Sequence, residues 1–232
     1  MKKFFMIVPQ QPVEKDVEGK IIRDDLRYST YEAIGNSQLN YGETRFPLLA
    51  VLNGYAERDE KIRIIAAIPD TPQCLVHLEQ LKEEVAGLQQ EKGFICNEVE
   101  SFSFTYSGDV NAQIELFQKL LNYMEDDDIL YACLTYGNKP MPIAELMALQ
   151  YGYRVMNNVS IGCLVYGEVD HSASPINKTV VDRATGKPKE IKQYPMRIFD
   201  ITALIQLDEI VRLLADQKIK NPKNVLDRIL EL

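Results

Sequence analysis

Asp126-Asp127-Asp128-Ile129-Leu130-Tyr131-Ala132-Cys133-Leu134-Thr135-Tyr136-Gly137-Asn138-Lys139-Pro140-Met141-Pro142 changes character twice. An acidic run gives way to a wholly apolar stretch, Ile129 to Leu134, with no polar alternation. That is the pattern of a parallel strand covered on both faces. The strand empties into a polar, Gly-containing loop, Thr135 to Lys139. A helix follows from Pro140 to about Tyr153, rich in Ala, Leu and Met. Pro140 sits in its first turn, where a missing N–H costs little. A buried strand, a glycine turn and a helix in immediate succession form the repeating unit of an α/β fold.

The same alternation extends outward in both directions. Phe4–Val8, Lys61–Ile68, Glu98–Thr105 and Val159–Tyr166 read as strands. Between them, Arg45–Tyr55, Leu75–Leu88 and Val110–Tyr123 have helical spacing. Pro47 opens the first helix and Asp109 is an N-cap for the third. The second is expected to bury Leu75, Leu78, Leu81, Val85 and Leu88; the third, Ile114, Phe117, Leu120 and Leu121. Ile21-Ile22-Arg23 and Tyr28–Ile34 form a candidate hairpin, with Gly35-Asn36 as a following turn. Residues 167–195 have weak periodicity and read as a hairpin-like insertion whose tip is Arg183-Ala184-Thr185-Gly186-Lys187-Pro188. Ile198-Phe199-Asp200-Ile201 leads into a helix near Ala203–Ala215, and a last helix follows Asn221-Pro222. The expected architecture is α/β: a Rossmann-like, mostly parallel sheet flanked by helices, with the hairpin-like insertion near 167–195 and C-terminal helices. We read residues 1–232 as a single domain, with a core over 1–200 and a helical extension over 201–232.

Composition excludes several functions. The chain has 232 residues, with 26 Lys+Arg against 34 Asp+Glu and a net charge of −8. That balance argues against coating long duplex nucleic acid, though not against a local basic pocket. No apolar run approaches the ~20 residues that span a bilayer. Met1-Lys2-Lys3 and the short apolar run after it read as a first strand rather than a secretion signal, so a cytoplasmic protein is expected. Cys74, Cys96, Cys133 and Cys163 are widely spaced, form no C-x-x-C pair and read as core residues, with no metal site and no cofactor expected. His77 and His171 are the only histidines, which leaves little for a Ser/His/Asp apparatus. His77 reads as a surface or core-edge residue and Glu125–Asp128 as a solvated loop.

In open α/β sheets, ligands bind beyond the carboxyl ends of the strands. The loop Thr135-Tyr136-Gly137-Asn138-Lys139 lies there. It offers the amides of Gly137, Asn138, Lys139 and Met141, a hydroxyl and a mobile ammonium to an anion. It matches neither G-x-x-x-x-G-K-[ST] nor G-x-G-x-x-G, and a tight turn with a solvated lysine is the plainer alternative. The first strand ends at Val8-Pro9-Gln10-Gln11-Pro12, at the same edge. Gln10 and Gln11 can each donate to and accept from a base or ribose; the alternative is a polar turn between prolines. Arg45, at the start of the Pro47 helix, is a phosphate contact or a surface charge. Arg183, Lys187, Lys189 and Lys192 cover a polyanionic ligand or belong to a flexible loop, with the second preferred.

The order of these segments resembles the CRISPR-associated Rossmann-fold (CARF) family, closest to the branch in which the sensor domain often precedes a HEPN ribonuclease. The resemblance runs through Tyr28-Ser29-Thr30-Tyr31-Glu32, Glu43-Thr44-Arg45-Phe46-Pro47-Leu48-Leu49-Ala50 and Asp128 to Pro142. In the family an acidic residue opens that last strand. The strand ends in a Thr-x-Gly turn, often with a basic residue after it; Thr135, Gly137 and Lys139 match. Val159–Glu168 and Phe199-Asp200-Ile201-Thr202 resemble later segments. The chain departs from the family after the first strand, where Pro9-Gln10-Gln11-Pro12 replaces a small residue.

The resemblance implies a homodimer that binds a cyclic oligoadenylate, with cyclic tetra-adenylate expected first, across its two-fold axis during type III CRISPR antiviral defence. A closed ring of repeats satisfies two copies of one loop. It implies ligand contacts from Pro9, Gln10, Gln11, Arg45, Thr135, Tyr136, Gly137, Asn138 and Lys139. No HEPN domain and no R-x-x-x-x-H signature are expected here, so a separate effector protein is a further implied partner. Two alternatives stay open. One is a metal-independent ring nuclease, in which a ribose 2′-OH attacks its own phosphate, Lys139 stabilises the developing charge and Thr135 or Gln10 orients the ribose. The other is an unrelated α/β domain that binds another nucleotide or a protein.

Overall fold

The computed structural model describes residues 1–181 and 185–230. Its centre is an eight-stranded sheet. Five strands run parallel, in the order β7 (Val99–Phe104), β6 (Ile62–Pro69), β1 (Lys2–Ile7), β8 (Ile129–Cys133) and β9 (Ser160–Val169). β1 is the hub: Phe4 sits opposite Ile64 on one side and Tyr131 on the other. Beyond β9 the direction reverses. β12 (Met196–Asp200) pairs antiparallel with β9, β4 (Ser29–Ile34) runs parallel to β12, and the two-residue β5 (Glu43–Thr44) closes the edge.

Both faces of the sheet are covered, which is why its central strands read as continuous apolar runs. Phe4, Met6 and Val8 pack with α1 (Leu48–Tyr55) and α2 (Pro72–Lys92). Phe5 and Ile7 face α3 (Val110–Leu121) and α4 (Pro140–Val155) on the other side. Asp109 caps α3 through the amides of Asn111 and Ala112, as its position before the helix predicts. α5 (Ala203–Asp216) places Ile205 in the second core, and Arg154 of α4 ion-pairs with Asp208 and Glu209 of α5. α6 (Pro222–Leu230) follows. The insertion is a hairpin of β10 (Ile176–Val181) and β11 (Pro188–Gln193). Arg183 and Ala184 lie outside the described residues.

Four expectations need correction. Ile21–Asp24 (β3) pairs with Val13–Lys15 (β2), not with the segment after it. β4 instead joins the main sheet, because Ser29 and Tyr31 alternate inward there. Leu75 and Ile114 are 58% and 49% exposed, and Cys74 and Leu116 take the inward positions. Asp128 belongs to no solvated loop. It is buried and ion-pairs with the fully buried Lys3 at 2.7 Å, while Glu125 meets the same ammonium at 2.8 Å. His77 is fully buried rather than at the core edge.

Candidate functional site

β1 crosses over to β6 on one side, whereas β8 lies on the other, so the crevice between β1 and β8 is the topological switch point of the sheet. The loops after these two strands meet there. A Cβ added at Gly137 would lie 3.5 Å from Ile7 Cδ1, and Val8 N–H donates to Ala67 O to hold the exit of β1.

The loop after β8 is shaped by two residues. Gly137 has φ +100°, a left-handed conformation that favours glycine, and a Cβ there would approach Met141 Cβ to 3.1 Å. Thr135 then extends the ladder where the backbone leaves it. Leu134 N–H donates to Val165 O, and the next donor on β9, Gly167 N–H, is received by Thr135 Oγ1 at 2.9 Å. The Cys133 thiol is 3.1 Å from the same hydroxyl, and its burial raises the thiol pKa to about 12. Tyr136 is buried and donates to Arg45 O at 2.6 Å; burial pushes its phenol well above the usual range. Met141 N–H donates to Asn138 O, which removes one of the four amides expected for an anion. Among the described residues, no group accepts from the amides of Gly137, Asn138 and Lys139. Lys139 is exposed at the start of α4.

The loop after β1 is anchored from beneath. Pro9 is buried, and its carbonyl accepts from His77 Nδ1 at 2.8 Å and from the Cys74 thiol at 3.3 Å. Pro9 is therefore an anchor that turns inward. The next two residues are half-buried and unsatisfied: Gln10 Nε2 and Gln11 Oε1 have no hydrogen-bond partner, and neither has Asn138 Oδ1 across the crevice. Buried polar atoms of this kind are rare in finished cores and cost free energy unless a ligand or water meets them.

Gln11, Arg45, Thr135 and Tyr136 come together in one cleft of about 500 Å³. Pro9, Gln10, Gly137, Asn138 and Lys139 lie outside its lining. Arg45 is not a free phosphate ligand. Its guanidinium is bound to Glu84 at 2.9 Å and stacks 3.8 Å above the Tyr28 ring, although Nε has no partner. The remaining walls come from residues to which the sequence reading gave no role, Arg27, Ser29 and Tyr31, and from Lys192, Tyr194 and Met196 around the insertion. Lys192 belongs to the basic cluster read as a flexible loop; it lies in β11 and faces the cleft. Gln193 pins that strand down by donating to Tyr28 O and Ser29 Oγ. His171 packs edge-on against Tyr194 at 5.3 Å.

Among the described residues there is no group of three or more His, Cys, Asp or Glu side chains placed to hold a metal ion, and no helix is long and apolar enough to cross a membrane. All four cysteines are buried thiols. The cleft sets the unpaired Gln11 amide and the Thr135 hydroxyl among cationic and aromatic side chains, and the free amides of Gly137, Asn138 and Lys139 belong to the adjoining loop, outside the lining. Such a set can hold a ligand with both phosphates and hydrogen-bonding bases. No protein-family model matches the chain, and no curated protein matches it, so the site's own chemistry carries the functional reading.

Proposed function

We propose that this chain is a CARF-type protein that binds cyclic oligoadenylate, cyclic tetra-adenylate in first place, across a homodimer in type III CRISPR antiviral signalling. The observation that carries the reading is the crevice at the switch point. The amides of Gly137, Asn138 and Lys139 have no acceptor among the described residues and are available to an anion, while Gln10, Gln11 and Asn138 keep buried polar atoms unpaired. Phosphates suit the first set, and adenine and ribose edges suit the second. The C-terminal helices would carry the signal to a separate effector protein in the cytoplasm.

A second reading, slow cleavage of the ring, has one observation in its favour: His171 packs against Tyr194, which lines the cleft. In that case the 2′-OH attacks the adjacent phosphorus and the 5′-oxygen leaves, giving a 2′,3′-cyclic phosphate, with Lys139 near the developing charge and Thr135 orienting the ribose.

The test is to incubate the protein with cyclic tetra-adenylate or cyclic hexa-adenylate without metal. Melting temperature and ligand chromatography are followed together. A ligand that binds only the native state must raise the melting temperature. Stabilisation with an intact ring supports a sensor, and linear products support the nuclease. No shift with either ring refutes both readings and returns the chain to the class of unrelated α/β binding domains. Lys139→Ala is expected to weaken binding and leave the fold unchanged. A monomer in sedimentation at micromolar concentration would contradict the two-fold arrangement.

A further inference from the structure

A second cavity of about 470 Å³ lies between the β2–β3 hairpin and the β10–β11 hairpin. It shares Asp25, Leu26, Arg27, Arg45, Ile191 and Gln193 with the cleft at the switch point, so the two form one continuous trough. The trough is basic in an acidic protein. Its lining carries six cationic side chains against three carboxylates, in a chain of net charge −8. Three of the cations are already paired: Arg23 with Glu14 and Asp25, Arg45 with Glu84, and Lys178 with Glu43. Those pairs also occupy Asp25 and Glu43, and the third lining carboxylate, Asp24, accepts from Gln80. Arg27, Lys189 and Lys192 have no ion-pair partner among the described residues. The unpaired positive charge is therefore spread along the trough: Arg27 lines both cavities, Lys189 the second cavity and Lys192 the switch-point cleft. Ile191 and the partly exposed Tyr28 also line the second cavity.

We propose that this trough is a second anion-binding site, in which Arg27, Lys189 and Lys192 hold phosphates of a nucleotide ligand that extends from the switch-point crevice beneath the β10–β11 hairpin. The inference rests on the nucleotide reading above and adds to it a phosphate contact set separate from the Gly137–Lys139 loop. Three unpaired cations spread over both cavities favour a ligand with more than one phosphate. Tyr28, whose other face carries the Arg45 guanidinium, offers a stacking surface for a base.

The test uses the full chain and two probes, cyclic tetra-adenylate and inorganic tripolyphosphate, with affinities measured by calorimetry at several salt concentrations. The variant is Lys189→Gln with Lys192→Gln; the control is Lys15→Gln with Lys20→Gln, on the β2–β3 hairpin and outside the trough lining. Far-ultraviolet circular dichroism and melting temperature check that both fold. The trough variant is expected to bind cyclic tetra-adenylate at least about tenfold more weakly, with the salt slope reduced by about 1.4 for two lost phosphate contacts, and the control to bind as wild type. Wild-type affinity and slope in the trough variant would overturn the trough and leave the switch-point reading standing. Binding of tripolyphosphate but not of the ring, with the same lysine dependence, would keep the trough and overturn the cyclic oligoadenylate reading. Binding of neither probe, or equal loss in the control, would overturn the trough as a site.

Discussion

Thr135→Val removes a hydroxyl and keeps the shape, and it separates two roles that Thr135 can play. In the free protein Thr135 Oγ1 accepts from Gly167 N–H at 2.9 Å. Gly167 is buried, and its Cα is hemmed in: a Cβ there would meet Pro47 Cγ at 2.9 Å and Tyr31 Cε1 at 3.2 Å. Water has little room to replace the lost acceptor. A buried donor left unsatisfied costs about 1–3 kcal/mol. A chain of this size loses about 3 °C of melting temperature per kcal/mol, so the drop is about 3–9 °C. Thr135→Ser keeps the acceptor and should lose less than half of that. Thermal and urea melts of the two variants, without ligand, decide the matter. A Val variant as stable as wild type, or a Ser variant as damaged as Val, would refute the claim that Thr135 extends the β8–β9 ladder. If the claim holds, any binding defect at this position must be corrected for stability before Thr135 is counted as a ligand contact.

Other substitutions probe other parts of the fold. Asp128→Asn leaves the buried Lys3 ammonium with Glu125 alone and should cost about 3 kcal/mol, read as a lower urea midpoint; an unchanged midpoint would mean that the pair is not what fixes β1 to β8. Gly137→Ala forces a Cβ into φ +100° against Met141 and should cost about 1–3 kcal/mol while weakening ligand binding; a variant that melts and binds like wild type would show that the loop shape is dispensable. Glu145 is fully buried with both carboxylate oxygens unpartnered, and burial raises its pKa well above the usual range. The folded state therefore holds this proton after the unfolded chain has released it, so Glu145 lowers stability as pH rises above about 4.5. Glu145→Met should stabilise by about 1–3 kcal/mol at pH 7 and by much less at pH 4; an equal effect at both values would refute the assignment.

The parts legible in the sequence were those fixed by local patterns. Ile129–Leu134 announced a doubly covered strand because both of its faces are buried, and Gly137 announced its turn because few other residues take that backbone. The switch-point loops followed from strand order alone. The cleft walls left no such trace. Lys192 and Tyr194 reach the site through hydrogen bonds from Gln193 to the Tyr28 carbonyl and the Ser29 hydroxyl, two segments on opposite sides of the chain's midpoint, and no short window encodes that meeting. Asp128 misled for a related reason. Three aspartates in a row are usually solvated, and only the partner Lys3, brought in by β1, makes one of them a buried ion-pair member. The hairpin partner of β3 was missed because β2 is three residues long and mostly exposed, too brief for alternation to register.

The reversal of direction between β9 and β12 has a consequence for how such a site can vary. A parallel neighbour would have required a crossover that carries the chain back to the far end of the sheet. An antiparallel neighbour lets the connection stay where β9 stops, and β9 stops at the candidate cleft. Whatever is inserted between Val169 and Met196 must therefore stand over the crevice. Its length and charge are free to drift without disturbing a single strand register. The segment that walls the candidate cleft and the strands that set the architecture are thus encoded in separate stretches of the chain, and the first can be rewritten while the second is left intact.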